Sequence, residues 1–401
     1  MDEWVECKIS DIGTVVGGAT PSTKKAENYE GGTIPWITPK DLSILRGRYI
    51  NRGERNITEE GLKSCSTQLM PKNTVLFSSR APIGYIAIAE NDVCTNQGFK
   101  SIIPNENTDP LFLYYLLKYN KDKIESMGSG TTFKEISGNT MKNIVVIVPT
   151  EKKVQEYIAS ILGTIDDKIE NNERINNNLE QQAKALFKSW FVDLEPFNGT
   201  MPSNWNYGTI EDLASEIVCG KTPSTKKKEY YGEDIPFITI PDMHNSVYTV
   251  KTERYLSLLG ADSQSKKMLP KNSICVSCIG TAGLVTMVAT PSQTNQQINS
   301  IIPKENVSPY FVYLLMKTKS DEINKYGQSG STIVNLNKTQ FAKLECILPS
   351  IESLIEFNDL LEPIFNKILV NMKENIALVD LRDTLLPKLM SGELDVFNIE
   401  I

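Results

Sequence analysis

Thr95-Asn96-Gln97-Gly98-Phe99-Lys100-Ser101-Ile102-Ile103-Pro104 is answered 199 residues later by Thr294-Asn295-Gln296-Gln297-Ile298-Asn299-Ser300-Ile301-Ile302-Pro303. Other matches surround it in the same order. Trp4 answers Trp205, Thr20-Pro21-Ser22 answers Thr222-Pro223-Ser224, and Ile34-Pro35-Trp36-Ile37-Thr38 answers Ile235-Pro236-Phe237-Ile238-Thr239. Pro71-Lys72-Asn73 likewise answers Pro270-Lys271-Asn272. A period this long means two duplicated domains rather than a solenoid, whose repeats run to about 20–50 residues. Two copies of one module in one chain point to two similar targets engaged together.

Each copy reads as a globular head followed by a helical spacer. In the first, Val75–Ser78 and Tyr85–Ala89 have the composition of short strands around a turn at Pro82 and Gly84. Asp109-Pro110 and Ser308-Pro309 each start a helix with proline at its first position, ahead of an apolar run. Ile144–Val148 and Leu344–Leu348 read as final strands closed by Pro149 and Pro349. The expected organisation is heads at 1–149 and 197–349, with helical spacers at 150–196 and 350–401.

The spacers carry a different period. Ile158, Ile161, Ile165, Leu179 and Leu186 belong to one apolar stripe; Leu361, Phe365, Ile368, Met372 and Val379 belong to the other. Steps of three and four over roughly 40 residues match a coiled-coil seam. A helix with one such stripe gains most of its stability from packing, so the two spacers are expected to pair, antiparallel, as a rod. Pro363 should kink or interrupt the second. Asn171, Asn172, Asn176, Asn177 and Asn178 cluster in the first. They read either as a solvated helical face or as a polar layer that fixes register. The fold class is mixed α/β (α+β): two tandem heads on an antiparallel coiled-coil rod, related by a pseudo-two-fold.

The net charge of −7 looks unfavourable for nucleic acid, but its distribution matters more. Residues 1–150 carry 17 basic and 17 acidic side chains and residues 201–350 carry 15 and 13, whereas 151–200 carry 6 and 9 and 351–401 carry 4 and 10. The acidity therefore lies in the spacers, and the near-neutral heads are open to a DNA-reading face of modest intrinsic affinity. No apolar run reaches the ~20 residues of a membrane span, and seven scattered cysteines fit reduced thiols in the cytoplasm.

No catalytic constellation stands out in the sequence. His244 is the single histidine and lies in a polar stretch with no nucleophile in sight. Cys275 and Cys278 have metal-ligand spacing but no second pair, and Leu76 and Ser79 stand in their places in the first copy, so buried structural thiols are expected. Gly220-Lys221-Thr222 resembles the end of a phosphate loop, but Ser215 occupies the position where that loop needs its first glycine. Neither an Asn-Pro-Pro-Tyr nor an Asp-Pro-Pro-Tyr tetrapeptide occurs. The expectation is a non-enzyme with no catalytic residue, no metal and no cofactor of its own.

Hydroxyls, amides and lysines on loops are the groups that position a phosphate backbone, and Asn or Gln can read adenine edges. The candidate DNA contacts are therefore Thr20, Ser22, Lys24, Lys25, Lys40, Arg46, Arg48, Arg80, Asn96, Gln97, Thr131 and Thr132 in the first copy. In the second they are Thr222, Ser224, Lys226, Lys227, Asn295, Gln296, Ser331 and Thr332. For the shared positions the competing reading is a turn held by its own side-chain bonds. Positions that differ between copies are expected to read sequence: Arg80 against Ile279, and residues 40–65 against 242–265.

Gly18-Ala19-Thr20-Pro21-Ser22, Ile34–Leu42, Thr95–Phe99 and Pro149 opening onto a long helix, all recurring once, resemble the specificity subunit of type I restriction-modification systems. The resemblance covers the whole chain. It implies that each head is a target recognition domain reading half of a split, asymmetric site in double-stranded DNA. It also implies that the helices set the separation of the halves and dock two modification (methyltransferase) subunits. S-adenosylmethionine, Mg and ATP would then act on modification and restriction subunits, not here. The chain departs from the family at Pro363 and at Ile351-Glu352-Ser353-Leu354, where a Glu-Gln pair is usual. A system with fused methylase-nuclease partners, or a duplicated protein scaffold without a DNA role, are the alternatives.

Overall fold

The computed structural model describes residues 4–130, 134–244, 246–325 and 335–394. The chain divides into two compact units, one made of residues up to Asn171 and from Ile376 onward, the other of Asn172–Asn375. The divisions fall inside the two long helices, Lys152–Phe191 and Ile351–Met390, rather than at the ends of the heads. Each unit thus owns one head and a piece of both helices.

In the first unit a five-stranded sheet has the order Gly13–Gly17, Lys100–Pro104, Val75–Ser79, Ile83–Ala89, Tyr49–Ile50. A three-stranded sheet runs Arg55–Ile57, Ile34–Ile37, Cys94–Thr95, and Trp4–Lys8 pairs antiparallel with Val145–Pro149. Val75–Ser79 is buried along its whole length, as its unbroken apolar start implies. Across one face lies the helix Pro110–Tyr119. Asp109 caps it by accepting from the Phe112 N–H at 2.7 Å, and Phe112–Leu117 are all buried. A helix apolar on every side belongs inside a core.

The second unit repeats this order strand for strand. Its five-stranded sheet runs Ala214–Cys219, Ile298–Pro303, Ile274–Ser277, Val285–Val288, Tyr248–Thr249. Tyr255–Leu256, Tyr231–Ile238 and Gln293–Thr294 form the three-stranded sheet, and Asn206–Thr209 pairs with Glu345–Leu348. Ser308 caps Pro309–Thr318, as Asp109 does in the first unit. Cys275 and Cys278 are buried, and burial pushes both thiols up to about 12, in keeping with structural cysteines.

Each long helix has 40 residues, about 60 Å at 1.5 Å per residue. The expected break at Pro363 does not occur, because the helix runs through it. Pro363 and Asp359, whose carbonyl loses its intrahelical donor, both face solvent, while neighbouring Leu361 and Phe365 are fully buried and hold the segment. Within the second unit the helix segments run antiparallel. Asn172 Nδ2 donates to Glu374 Oε2 (2.8 Å) and Asn375 Oδ1 (2.9 Å), Asn371 Nδ2 donates to Asn176 Oδ1 (2.9 Å), and Trp190 stacks near Phe357 (5.5 Å). Asn172 and Asn371 are buried, so this part of the asparagine cluster is a polar layer, whereas Asn177 and Asn178 are exposed. In the first unit Asp166 meets Arg382, and Leu386, Leu389 and Met390 join Val154, Ile158 and Leu162 in one core.

The apolar stripes serve the heads as much as each other. Ile158, Ile165, Leu361, Phe365 and Ile368 are buried; Ile161, Leu179, Leu186 and Met372 are partly buried against the cores, and Val379 is half-buried. Phe187 and Phe191, outside the expected seam, pack on Phe311 of the second head at 5.7 and 4.8 Å. No helix among the described residues is long and apolar enough to cross a membrane.

Candidate nucleic-acid interface

The shared polar motifs of the first head meet in one loop cluster. Gly18 lies so close to residues 95–96 that a Cβ there would stand 2.2 Å from the Thr95 and Asn96 carbonyl oxygens. Ala19 N–H donates to Thr95 O (3.1 Å) and Trp36 Nε1 to Ala19 O (3.0 Å), while Tyr29 and Asn28 hold the Pro21 and Ser22 carbonyls. The Thr20 hydroxyl donates to Gln97 Oε1, and Asn96 Oδ1 accepts from Gly98 N–H at 2.9 Å. The second head repeats the arrangement. A Cβ on Gly220 would stand 2.1 Å from Asn295 O, Thr222 donates to Gln296 Oε1 (2.7 Å), and Asn295 Oδ1 accepts from Gln297 N–H (3.0 Å).

These bonds decide much of the question about the shared residues. Thr20, Asn96, Thr222 and Asn295 spend side-chain atoms on closing their own loops. What the closed loops present outward is Ser22, Lys24, Lys25 and Gln97 in one head and Ser224, Lys226, Lys227 and Gln296 in the other, all exposed. Lys25 lies 3.6 Å from Glu27, and Lys227 Nζ approaches the Tyr230 hydroxyl at 3.0 Å and its ring at 4.8 Å. Thr131, Thr132, Ser331 and Thr332 lie outside the described residues.

A second staple frames the divergent segment. Asp41 Oδ2 accepts from Thr38 N–H (2.7 Å) and Oγ1 (2.6 Å), and its Oδ1 accepts from Glu54 N–H (2.8 Å). Asp242 does the same with Thr239 (2.8 and 2.7 Å) and Glu253 N–H (2.8 Å). One carboxylate thus ties the start of the variable stretch to its middle in each head. The Thr-x-x-Asp pair recurs in the sequence with the spacing of a capping box, so it was legible and was missed. In the first head the stapled stretch surrounds an open cleft of about 630 Å³, lined by Lys40, Ile44, Arg46, Tyr49 and Arg52 among others. Ile44 is 74% exposed. Lys40 pairs with Glu54 at 2.8 Å, and this hydrogen bond shifts the lysine pKa up and the carboxylate pKa down, so Lys40 already has a carboxylate partner.

Arg48 does not belong in this site. Its side chain is 3% exposed and bound from several sides: Nε to Glu170 Oε1 (3.0 Å), Nη1 to Gly163 O (3.2 Å) and the Tyr115 hydroxyl (3.3 Å), and Nη2 to Asp167. Burial alone would lower its basicity, yet the hydrogen bond to Glu170 and the surrounding charge hold it above the ordinary value. It clamps the loop to the central helix and, contrary to the expectation of a DNA contact, is turned away from the surface. Arg80, by contrast, is about one-third exposed at the rim of the loop cluster, 3.5 Å from Glu135.

Among the described residues no group of three or more His, Cys, Asp or Glu could hold a metal ion. The arrangement is one of closed loops presenting cations and amides, with a variable segment stapled beside them.

Residues 1–181 and 202–378 each match the family model described as type I restriction modification DNA specificity domain. The chain is 36% identical to the type I restriction enzyme MjaIX specificity subunit of Methanocaldococcus jannaschii, over 98% of this chain and 94% of that one. It is 33% identical to the HindI specificity subunit of Haemophilus influenzae, over 98% and 100%. A crystal structure of a type I S subunit from M. genitalium shares the fold at TM-score 0.64 and 16% identity, covering 97% of this chain and 96% of that one. With the matched domain present twice and both relatives aligned nearly end to end, the chain belongs to the family of type I restriction-modification specificity subunits.

Proposed function

We propose that this chain is the DNA-reading subunit of a type I restriction-modification assembly, in which each head reads one half of a split, asymmetric site in double-stranded DNA. The observation that carries this reading is one scaffold built twice with different side chains at its rim. The staples at Asp41 and Asp242 and the loop closures at Thr20 and Thr222 are the same, while residues 40–65 and 242–265 differ. Shared groups would hold phosphates, and differing groups would read bases.

The chain itself would be non-catalytic. Two modification subunits would supply S-adenosylmethionine chemistry on flipped adenines, and restriction subunits would supply ATP- and Mg-dependent cleavage. The helices would carry those partners. Near-neutral heads make for weak DNA binding by the isolated chain, since backbone affinity follows the phosphates neutralised.

Methylome sequencing of the source cell tests this. The expected result is a bipartite motif with N6-methyladenine in each half, lost when the gene is deleted. Replacing residues 40–65 should change one half only; a change in both halves would sink the two-head reading.

A further inference from the structure

We propose that Arg80 reads a guanine in the half-site of the first head, and that the second head makes no guanine contact at the equivalent place because Ile279 stands there. The proposal rests on the DNA-reading role above and names one determinant of its asymmetry.

Hydrogen bonds establish the equivalence. In the first head Ser79 N–H donates to Gly98 O (2.7 Å) and Ile136 N–H to Ser79 O (3.0 Å). In the second, Cys278 N–H donates to Gln297 O (2.8 Å) and Leu336 N–H to Cys278 O (3.0 Å). The next residue along the chain is Arg80 in one head and Ile279 in the other. Both follow a backbone bond to the Thr-Asn-Gln loop, so both sit beside the groups that face outward from that loop.

Arg80 is aimed by a built support. Glu135 is held by a two-bond antiparallel bridge to Ser129 (3.1 and 3.0 Å). One of its carboxylate oxygens lies 3.5 Å from Arg80 Nη1, and the other lies 3.4 Å from Lys100 Nζ, which is also 3.4 Å from Ser79 Oγ. Two cations against one carboxylate leave a net positive charge at the rim. The Arg80 side chain keeps about a third of its surface open, whereas Lys100 is largely buried.

In the second head every member of this cluster is uncharged: Ile279 bridges Asn335, and Asn299, in the place of Lys100, donates to Leu336 O at 3.2 Å. A phosphate clamp would serve both heads and would be expected in both. A cation carried by one head alone, oriented from behind, suits a base edge. Guanine offers O6 and N7 to the planar fork of arginine. Isoleucine offers only apolar contact, which suits a thymine methyl.

The test uses the full chain co-expressed with its modification partners in cells lacking the native gene, with methylomes sequenced. Arg80→Ala should relax one guanine position of one half-site, roughly a tenfold loss of preference there, and leave the other half unchanged. Arg80→Lys keeps the charge without the fork and should relax the same position. Ile279→Arg should add a guanine preference in the opposite half. An unchanged motif with uniformly slower methylation for Arg80→Ala, together with full rescue by Arg80→Lys, would mean a phosphate contact and overturn the proposal. If the unaltered chain yields no split motif, the DNA-reading role fails first, and this proposal with it.

Discussion

The two heads grip their helices at the same backbone positions with opposite chemistry. In the first unit Arg48, Tyr115, Asp166, Glu170 and Arg382 form a polar clasp, buried except at its Glu170 edge, with the Tyr115 hydroxyl donating to Asp166 (2.7 Å) and Arg382 paired to the same carboxylate (2.7 Å). The matching residues of the second unit are Val247, Leu314, Phe365, Leu369 and Ala183, all buried and apolar. The match is structural: Arg48 O and Val247 O each accept from the partner strand, at Ile88 and Met287, at 2.8 Å. In the second unit Phe365 stacks on Tyr310 at 4.6 Å and meets Tyr313 edge-on at 5.6 Å. One fold thus tolerates either solution, because the interface needs filled volume and satisfied groups rather than a particular chemistry.

The two solutions should fail differently. Arg48→Ala empties buried volume and takes the cation from Glu170, which keeps about a third of its side chain in water, while the Tyr115 hydroxyl keeps its bond to Asp166; the cost to the first unit is about 3 kcal/mol. Phe365→Ala opens a cavity and costs the second unit a similar ~3–5 kcal/mol. Hydrogen exchange at Pro110–Tyr119 and Pro309–Thr318 separates the units; equal loss of protection in both helices for either variant would break the comparison. Converting the whole clasp, Arg48→Val with Tyr115→Leu, Asp166→Phe, Glu170→Leu and Arg382→Ala, should recover most of what Arg48→Val alone loses, because buried ion clusters often exchange for apolar packing at little net cost. A fivefold variant less stable than the single one would show that the polar clasp is required.

The asparagine layer should matter less. Asn172→Ala removes two hydrogen bonds and leaves the Asn375 amide oxygen without that donor, about 1–3 kcal/mol by denaturant titration. A comparable effect is expected at Asp41→Ala, about 1–3 kcal/mol, because its carboxylate accepts three hydrogen bonds. Its readout is selective, since loosening the stapled stretch should blur one half of the methylated motif and spare the other.

Much of the fold was legible. Asp109-Pro110 and Ser308-Pro309 announce helix starts through local capping, and the recurrence of Ser-Ile-Ile-Pro announces the same strand twice. The candidate site was legible only in outline. Arg46, Arg48, Arg52 and Arg55 look alike in the sequence, yet Arg48 turns inward to Glu170, 122 residues away, and Arg55 lies over the Tyr29 ring at 5.9 Å. Pro363 breaks a helical rule that its exposed position makes inexpensive.

The amino-acid sequence by itself determined that one module is built twice, where its helices begin, and that its acidity lies in the spacers. Those features come from short-range periodicity, capping chemistry and counting. Only the tertiary structure decided which polar residues close their own loops, which arginine is buried, and which asparagines pair. Such choices depend on contacts between residues tens to hundreds of positions apart, where burial turns the same side chain from a surface charge into an internal clamp.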